Sequence, residues 1–338
     1  METLCLPADE ISLATASKLL QEGQVVAFPT ETVYGLGANA LDADAVRAIF
    51  AAKERPADNP LIVHVADPRQ LDGICHVTET AVKLMNAFWP GPLTLLLMKK
   101  DAVPDVTTAG LPSVAVRCPD HPVAQGMLRA CGLPIAAPSA NRSGRPSPTT
   151  AAHVYEDMRG RIPLILDGGP CQVGVESTVL DLTGDVPCVL RPGAVTPADI
   201  ARIAGDCRVA PSVMRPLREG ESAPSPGMKH RHYAPKAKMT VFVGEDEAVI
   251  AALCKRYDQS SNAVILAHTG ILDRLGGRRA FSLGDSAQEG ARLLFQRLRE
   301  MDELGCEIIL AQGWEAEGDA LAVMNRMARA AAFDIVHV

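Results

Sequence analysis

FPTETVYGLGANA (28–40) follows directly on a short apolar run, QVVAF (24–28). Further along, APSANRSGRPSPTT (137–150) follows directly on another, PIAA (134–137). Between them lies KERPADNPLIVHV (53–65). All three blocks are crowded with small residues, hydroxyls, cations and glycines beside apolar runs. That composition suits a backbone that approaches a polar, anionic ligand closely. The apolar runs predict strands, and ligands of open α/β sheets bind at the carboxyl edge of the strands. Pro29 closes the first run, so Thr30 and Thr32 fall at such an edge, where a hydroxyl both donates and accepts. Gly35 and Gly37 read as positions free to take positive φ. A plain turn between strand and helix is the other reading of the same residues.

Working outward, helical spacing predicts helices over 9–22, 42–53, 78–88, 123–130, 149–158 and 198–203. Strands are predicted over 24–28, 61–65, 93–98, 113–117, 134–137, 164–166, 177–182 and 188–190. Alternation of this kind implies an α/β domain, and the close spacing of the last three strands implies a mixed sheet. Residues 209–238 then turn rich in Pro, Ser, Gly and charge without periodicity, which reads as an interdomain linker. Beyond it the pattern is a simple βαβ succession, with strands over 239–243, 263–268 and 307–311. Helices are expected over 245–257, 287–304 and 319–332, the last ending the chain. The chain of 338 residues fits two domains at roughly 150 residues each. The boundaries read as 1–208, a linker or lid over 209–238, and 239–338.

Hydrophobic residues at 47% and charged residues at 22% describe a globular protein able to bury a core. The net charge of −7 argues against a whole-chain nucleic-acid footprint. No basic n-region opens the chain and no run of about 18 apolar residues occurs, so neither a signal peptide nor a membrane span is expected. The nine cysteines are scattered without a C-x-x-C pair, as reduced thiols of a cytoplasmic protein.

Lys53 and Arg55 follow a helix and suit its C-terminus. Arg55 and Asn59 each precede a proline and are held extended, so the same residues also make a stiff anion clamp. His64 alternates with apolar neighbours, as a structural strand histidine does. Arg117 ends the SVAVR strand and needs an anionic partner from the protein or a ligand. Ser139, Asn141, Arg142, Ser143, Gly144, Arg145 and Ser147 form a loop suited to a phosphate nest. Arg191 is a further cation at a strand end. Neither G-x-x-x-x-G-K-[ST] nor G-x-G-x-x-G occurs, and H-E-x-x-H and G-x-S-x-G are missing too.

Taken together and in order, these blocks resemble the YrdC-type threonylcarbamoyl-adenylate synthases in their long two-domain form. The stretches that carry the resemblance are the three above with FWPGPLTLLL (88–97), SVAVRCPD (113–120), GVESTVLDL (174–182) and LRPGA (190–194). SPGMKHRHYAP (225–235) and AVMNRMARAA (322–331) are similar to the long form. The resemblance implies a YrdC/RibB-like twisted mixed sheet with flanking helices, plus a smaller Rossmann-like C-terminal α/β domain. It implies that L-threonine, bicarbonate and ATP are joined into threonylcarbamoyl-AMP with release of pyrophosphate. Magnesium would ride on the ATP phosphates, with no organic cofactor. Partner proteins would then transfer the group to tRNAs that read A-starting codons, with tRNA contact an expectation. By resemblance Lys53, Arg55, Ser139 and Asn141 form the catalytic polar cluster. Thr32, His64, Arg117, Ala137 and Ser177 hold threonine, with Arg117 facing its carboxylate. Arg55, Asn59, Ser113, Ser139, Ser147 and Arg191 hold ATP, and Tyr233 folds over the nucleotide from the lid. A non-catalytic RNA-binding module of the same fold is the competing reading, with the cations of the 53–55 and 141–145 loops on phosphates. A carbamoyltransferase of the hydrogenase-maturation type is another, although it brings zinc-finger cysteines that the sequence lacks.

Overall fold

The computed structural model describes residues 1–216 and 233–338. Most of the SPGMKHRHYAP stretch, and with it most of the expected lid, lies outside the described residues. The first eleven strands form one sheet. They are β1 (Leu4–Pro7), β2 (Val26–Phe28), β3 (Gly35–Asn39), β4 (Ile62–His64), β5 (Leu93–Met98), β6 (Ser113–Arg117), β7 (Ile135–Ala137), β8 (Leu164–Asp167), β9 (Thr178–Asp181), β10 (Cys188–Arg191) and β11 (Arg208–Val209). Their order is β1-β8-β2-β3-β7-β4-β6-β5-β9-β10-β11. The sheet is mixed: β4 and β6 run parallel, for example, while β7 and β5 flank them antiparallel.

The predicted helices form where their caps are. Asp9, Asp42, Thr78 and Thr150 each accept a backbone N–H of the first turn through the side chain, which satisfies donors that a helix start leaves open.

Period-two alternation places the two faces of the sheet in different surroundings. Leu61, Val63 and Val65, with Leu93, Leu95, Leu97, Val114 and Val116, enter one core beneath the helices Ala43–Lys53 and Glu79–Phe88. Their alternates Ile62, Ala115 and Leu96 lie on the other face, together with His64, Thr94 and Arg117, which share register across β4, β6 and β5. On that second face the helices Glu10–Gln21 and Pro122–Cys131 cover the end built from β2, β7 and β8.

A second sheet follows, with β12 (Lys238–Val243), β13 (Ala263–Ala267), β14 (Ala280–Ser282), β15 (Ile308–Gln312) and β16 (Ile335–His337). Its order is β14-β13-β15-β12-β16 and every pair is parallel, as the βαβ pattern predicts. Val33 and Val175 from the first part, and Tyr233, share one buried cluster with Leu294, Phe295 and Met327 of this unit. The two parts therefore meet through apolar packing.

The structure corrects several expectations. Gly35 and Gly37 form β3 and neither has positive φ. They are small because Phe28 lies against them: a Cβ at Gly37 meets Ile135 Cγ2 at 2.6 Å and Phe28 Cε1 at 2.7 Å. The last helix ends at Ala330, and β16 follows it to the C-terminal edge of the chain. The stretch read as linker begins ordered: Val209 pairs with Val189, and Ser212 and Val213 are buried.

Gly37→Ala is expected to overpack this site and to cost about 1–3 kcal/mol, read as a lower urea midpoint. An unchanged midpoint would refute the packing role.

Candidate active site

β4 and β6 are parallel, so their last residues, His64 and Arg117, sit side by side at one sheet edge. Thr32 and Ser177 reach the same place from the ends of neighbouring segments. A cleft opens there. Thr32, His64, Arg117, Ala137 and Ser177 line it. Arg55, Ser139, Asn141, Ser147, Arg191 and Tyr233 line the same cleft. Eleven of the fourteen residues assigned by the resemblance thus converge, although they come from seven separate stretches of chain.

Three do not line it. Lys53 is buried behind the wall, where its Nζ donates to the carbonyl oxygens of Ser139 and Asn141. Its ammonium therefore shapes the 139–141 loop and is not a free cation of the cleft. Burial, reinforced by the Arg55 charge, pulls its pKa well below the usual lysine range. Asn59 is buried, with its side-chain amide unpartnered, and its carbonyl accepts from Arg55 Nη2 at 3.2 Å. Ser113 begins β6, at the end opposite Arg117.

The electrostatics are those of an anion site. Arg55, Arg117 and Arg191 present three guanidiniums against one lining carboxylate, Glu176. Burial lowers Arg55 to about 10, still cationic at neutral pH. Arg191 donates to the Ser177 carbonyl at 3.1 Å and to Ser177 Oγ at 3.2 Å. Among the described residues, no carboxylate is in salt-bridge reach of Arg55 or Arg191. Arg117 has an internal partner: Nη2 lies 2.7 Å from Glu31 Oε1, and Nη1 donates to Thr32 Oγ1 at 2.9 Å. The protein, and not only a ligand, thus supplies the anion that the SVAVR strand called for. His64 Nδ1 lies 3.1 Å from the Ile62 carbonyl, and burial beside the Arg117 charge lowers its pKa to about 3.

The 141–147 loop is tied down. Arg142 pairs with Glu54, and Arg145 pairs with Glu156 and Asp157. Both of its arginines are thus paired with carboxylates.

Sequence reasoning missed the second unit's share in the site. Arg326, with no exposed surface, donates from Nε to Glu176 Oε2 at 2.8 Å, from Nη1 to the Pro192 carbonyl and from Nη2 to the Glu176 carbonyl. Ser147 donates to the other oxygen of Glu176 at 2.5 Å. Burial pushes the Glu176 carboxyl up, but the Arg326 and Arg191 charges outweigh it and hold the group below the ordinary range. Arg299 reaches the other side of the loop, 2.7 Å from both the Pro146 carbonyl and Asp157 Oδ2. The available signal was Asn325-Arg326 inside the apolar AVMNRMARAA stripe, a charge where the helix is buried all round.

With this geometry in view, the comparisons decide the family. Residues 18–193 match the Sua5, YciO and YrdC family model, described as telomere recombination. Residues 195–332 match the model of the threonylcarbamoyl-AMP synthase C-terminal domain. The threonylcarbamoyl-AMP synthase of Pyrococcus abyssi is 47% identical over 98% of this chain and 97% of its own length. That of Bacillus subtilis is 46% identical over 96% and 94%. The chain belongs to the threonylcarbamoyl-AMP synthase family. Members are enzymes of the nucleotidyltransferase kind. Crystallised P. abyssi Sua5, in complex with L-threonine, is 44% identical, with a TM-score of 0.89 over 100% of this chain and 99% of that one. The synthase fold in its two-unit form is therefore shared along the full chain.

Two outcomes follow for this synthase. His64 has a folded pKa of about 3 against an ordinary 6.5, so its imidazole stays neutral above about pH 5. The unfolded chain binds a proton that folded His64 excludes, so its contribution to stability is complete above about pH 6.5 and declines below it. NMR of the His64 ring is expected to show no titration between about pH 8 and 5, and a midpoint near 6.5 would contradict the burial. Arg326→Met leaves Glu176 buried without its cation and is expected to destabilise by about 3–5 kcal/mol. Denaturant unfolding of Arg326→Met beside the double variant with Glu176→Gln checks this, the double variant being the more stable of the two.

Proposed function

We propose that this synthase condenses L-threonine, bicarbonate and ATP into threonylcarbamoyl-AMP, pyrophosphate and water, the water leaving as bicarbonate gives up CO2. The observation that carries the reading is the convergence of three guanidiniums, Arg55, Arg117 and Arg191, on one cleft in a chain similar over its whole length to proteins of that name. Thr32, His64, Arg117, Ala137 and Ser177 are assigned to the amino acid. Arg55, Asn59, Ser113, Ser139, Ser147, Arg191 and Tyr233 are assigned to ATP, with Asn59 and Ser113 acting from outside the cleft lining.

The neutral threonine amine adds to CO2 and gives up one proton, leaving a carbamate. A carbamate oxygen attacks the α-phosphorus, and pyrophosphate leaves. Arg55 and Arg191 neutralise charge that develops on the phosphoryl oxygens. Catalysis rests on orientation and charge: Ser139 and Asn141 are polar wall residues, and Lys53 keeps their loop in place. Neutral His64 adds no second charge beside Arg117. Magnesium is expected on the ATP phosphates. The carboxylates at the site, Glu31 and Glu176, are already paired with Arg117 and Arg326. Among the described residues no group of three metal-ligating side chains comes together. That donor set does not fit a metal held by the protein itself, and no step is routed through one.

The product would pass to partner proteins that place the threonylcarbamoyl group on the adenosine beside the anticodon of tRNAs reading A-starting codons. No tRNA contact by this chain is part of the reading. A cytoplasmic setting supplies ATP and tRNA. No helix among the described residues is long and apolar enough to cross a membrane.

Incubation with ATP, labelled bicarbonate and a panel of amino acids, followed by mass detection of the adenylate, tests the reading. Label in threonylcarbamoyl-AMP, dependent on both threonine and bicarbonate, is the expected result. An adenylate formed with serine and not with threonine would overturn the substrate assignment.

A further inference from the structure

Thr30 has one hydroxyl proton, and its neighbours decide where it points. Thr30 Oγ1 lies 2.6 Å from the Val33 carbonyl oxygen. A carbonyl has no proton to give, so Thr30 donates there. Thr30 Oγ1 also lies 2.8 Å from Thr32 Oγ1. Thr30 Oγ1 also accepts the backbone N–H groups of Thr32 and Val33, each at the longer distance of 3.2 Å; with the Thr30 proton directed at Val33, the shorter contact leaves Thr32 as its donor. Thr32 Oγ1 in turn accepts from Arg117 Nη1 at 2.9 Å. Thr32 has therefore given its proton inward and taken one N–H from Arg117. What it has left for the cleft is a lone pair. Thr30 and Thr32 are buried, at 2% and 0% exposure, so bulk water does not compete for these bonds.

We propose that Thr30 is a positioning residue of the amino-acid subsite: it fixes Thr32 as a hydrogen-bond acceptor, which receives an N–H or O–H of the substrate and turns its carboxylate away. This rests on the synthase reading above. A carboxylate oxygen set against the Thr32 lone pair would place two acceptors face to face, so the carboxylate is left to the guanidinium of Arg117. Thr30 also lines the cleft, and the orientation of the amino acid then follows from the way this pair of hydroxyls is wired. The donor is the substrate's amine or its β-hydroxyl, and the two give different selectivity.

The test uses the full-length enzyme with Thr30→Val, which keeps the shape and removes the hydroxyl, and Thr30→Ser, which restores it. The KM for L-threonine and for ATP is measured by adenylate formation, and L-threonine binding by calorimetry. Thr30→Val is expected to raise the L-threonine KM and dissociation constant about tenfold, the size of one lost hydrogen bond, while the ATP KM stays within about twofold and Thr30→Ser stays close to the parent enzyme. An unchanged L-threonine KM, an equal rise for both substrates, or a serine variant as impaired as the valine variant would each overturn the proposal. If circular dichroism shows Thr30→Val unfolded, Thr30→Ala takes its place with the same expected result. L-2-aminobutyrate separates the donors. If the preference for L-threonine over it vanishes in Thr30→Val, the β-hydroxyl is the donor; if both weaken together, the amine is. An enzyme that binds L-threonine but makes no adenylate would sink the synthase reading alone. Weakened binding in the valine variant would still support Thr30.

Discussion

Arg326 has no exposed surface, and the carboxylate it holds, Glu176, is a wall of the cleft. Stripping water from both charges costs several kcal/mol per ion unless each finds its partner in good geometry. Here each does. The guanidinium meets Glu176 and the carbonyls of Pro192 and Glu176, and Glu176 also receives the Ser147 hydroxyl. One side chain from the last helix thus ties together three segments that carry Ser147, Ser177 and Arg191. Arg299 does the same for the 142–147 loop through Asp157 and Pro146. The second unit is a structural part of the site's walls, because undocking it would leave Glu176 and Asp157 without these cations.

Inside those walls, charge is placed by the pleat. The strands that bury leucine and valine on one face show His64, Thr94 and Arg117 on the other. Neighbouring strands bury His64 beside Arg117; burial first, and the Arg117 charge second, keep the histidine neutral. Glu31 balances Arg117 from within. Among the described residues neither Arg55 nor Arg191 forms a salt bridge, although the Arg191 charge is felt by Glu176.

Most of the helices and their caps were legible, since Asp9, Asp42, Thr78 and Thr150 announce themselves locally and the apolar spacing behind them is regular. Most of the cleft was legible as well, but through the order of motifs and the family they resemble. Periodicity alone pointed only to strand ends rich in cations and hydroxyls. Other elements were hidden for identifiable reasons. Strand β1 is short, at the edge, and largely exposed. In β3 glycines stand where a pattern would show side chains, because the Phe28 ring occupies that space. Lys53 looked like a cation for a ligand, and nothing nearby in sequence indicates that its ammonium meets the carbonyls of residues 139 and 141.

By itself the sequence determined the α/β class, the alternating faces of the central strands and the helix starts. These depend on spacing and on contacts within a few residues. Tertiary structure alone decided which cations remain available, which way the Thr30–Thr32 hydroxyls point, and that Arg326 and Arg299 complete the walls. Those depend on partners as many as 153 residues apart, and the state of a buried charge or hydroxyl is set by what surrounds it in space.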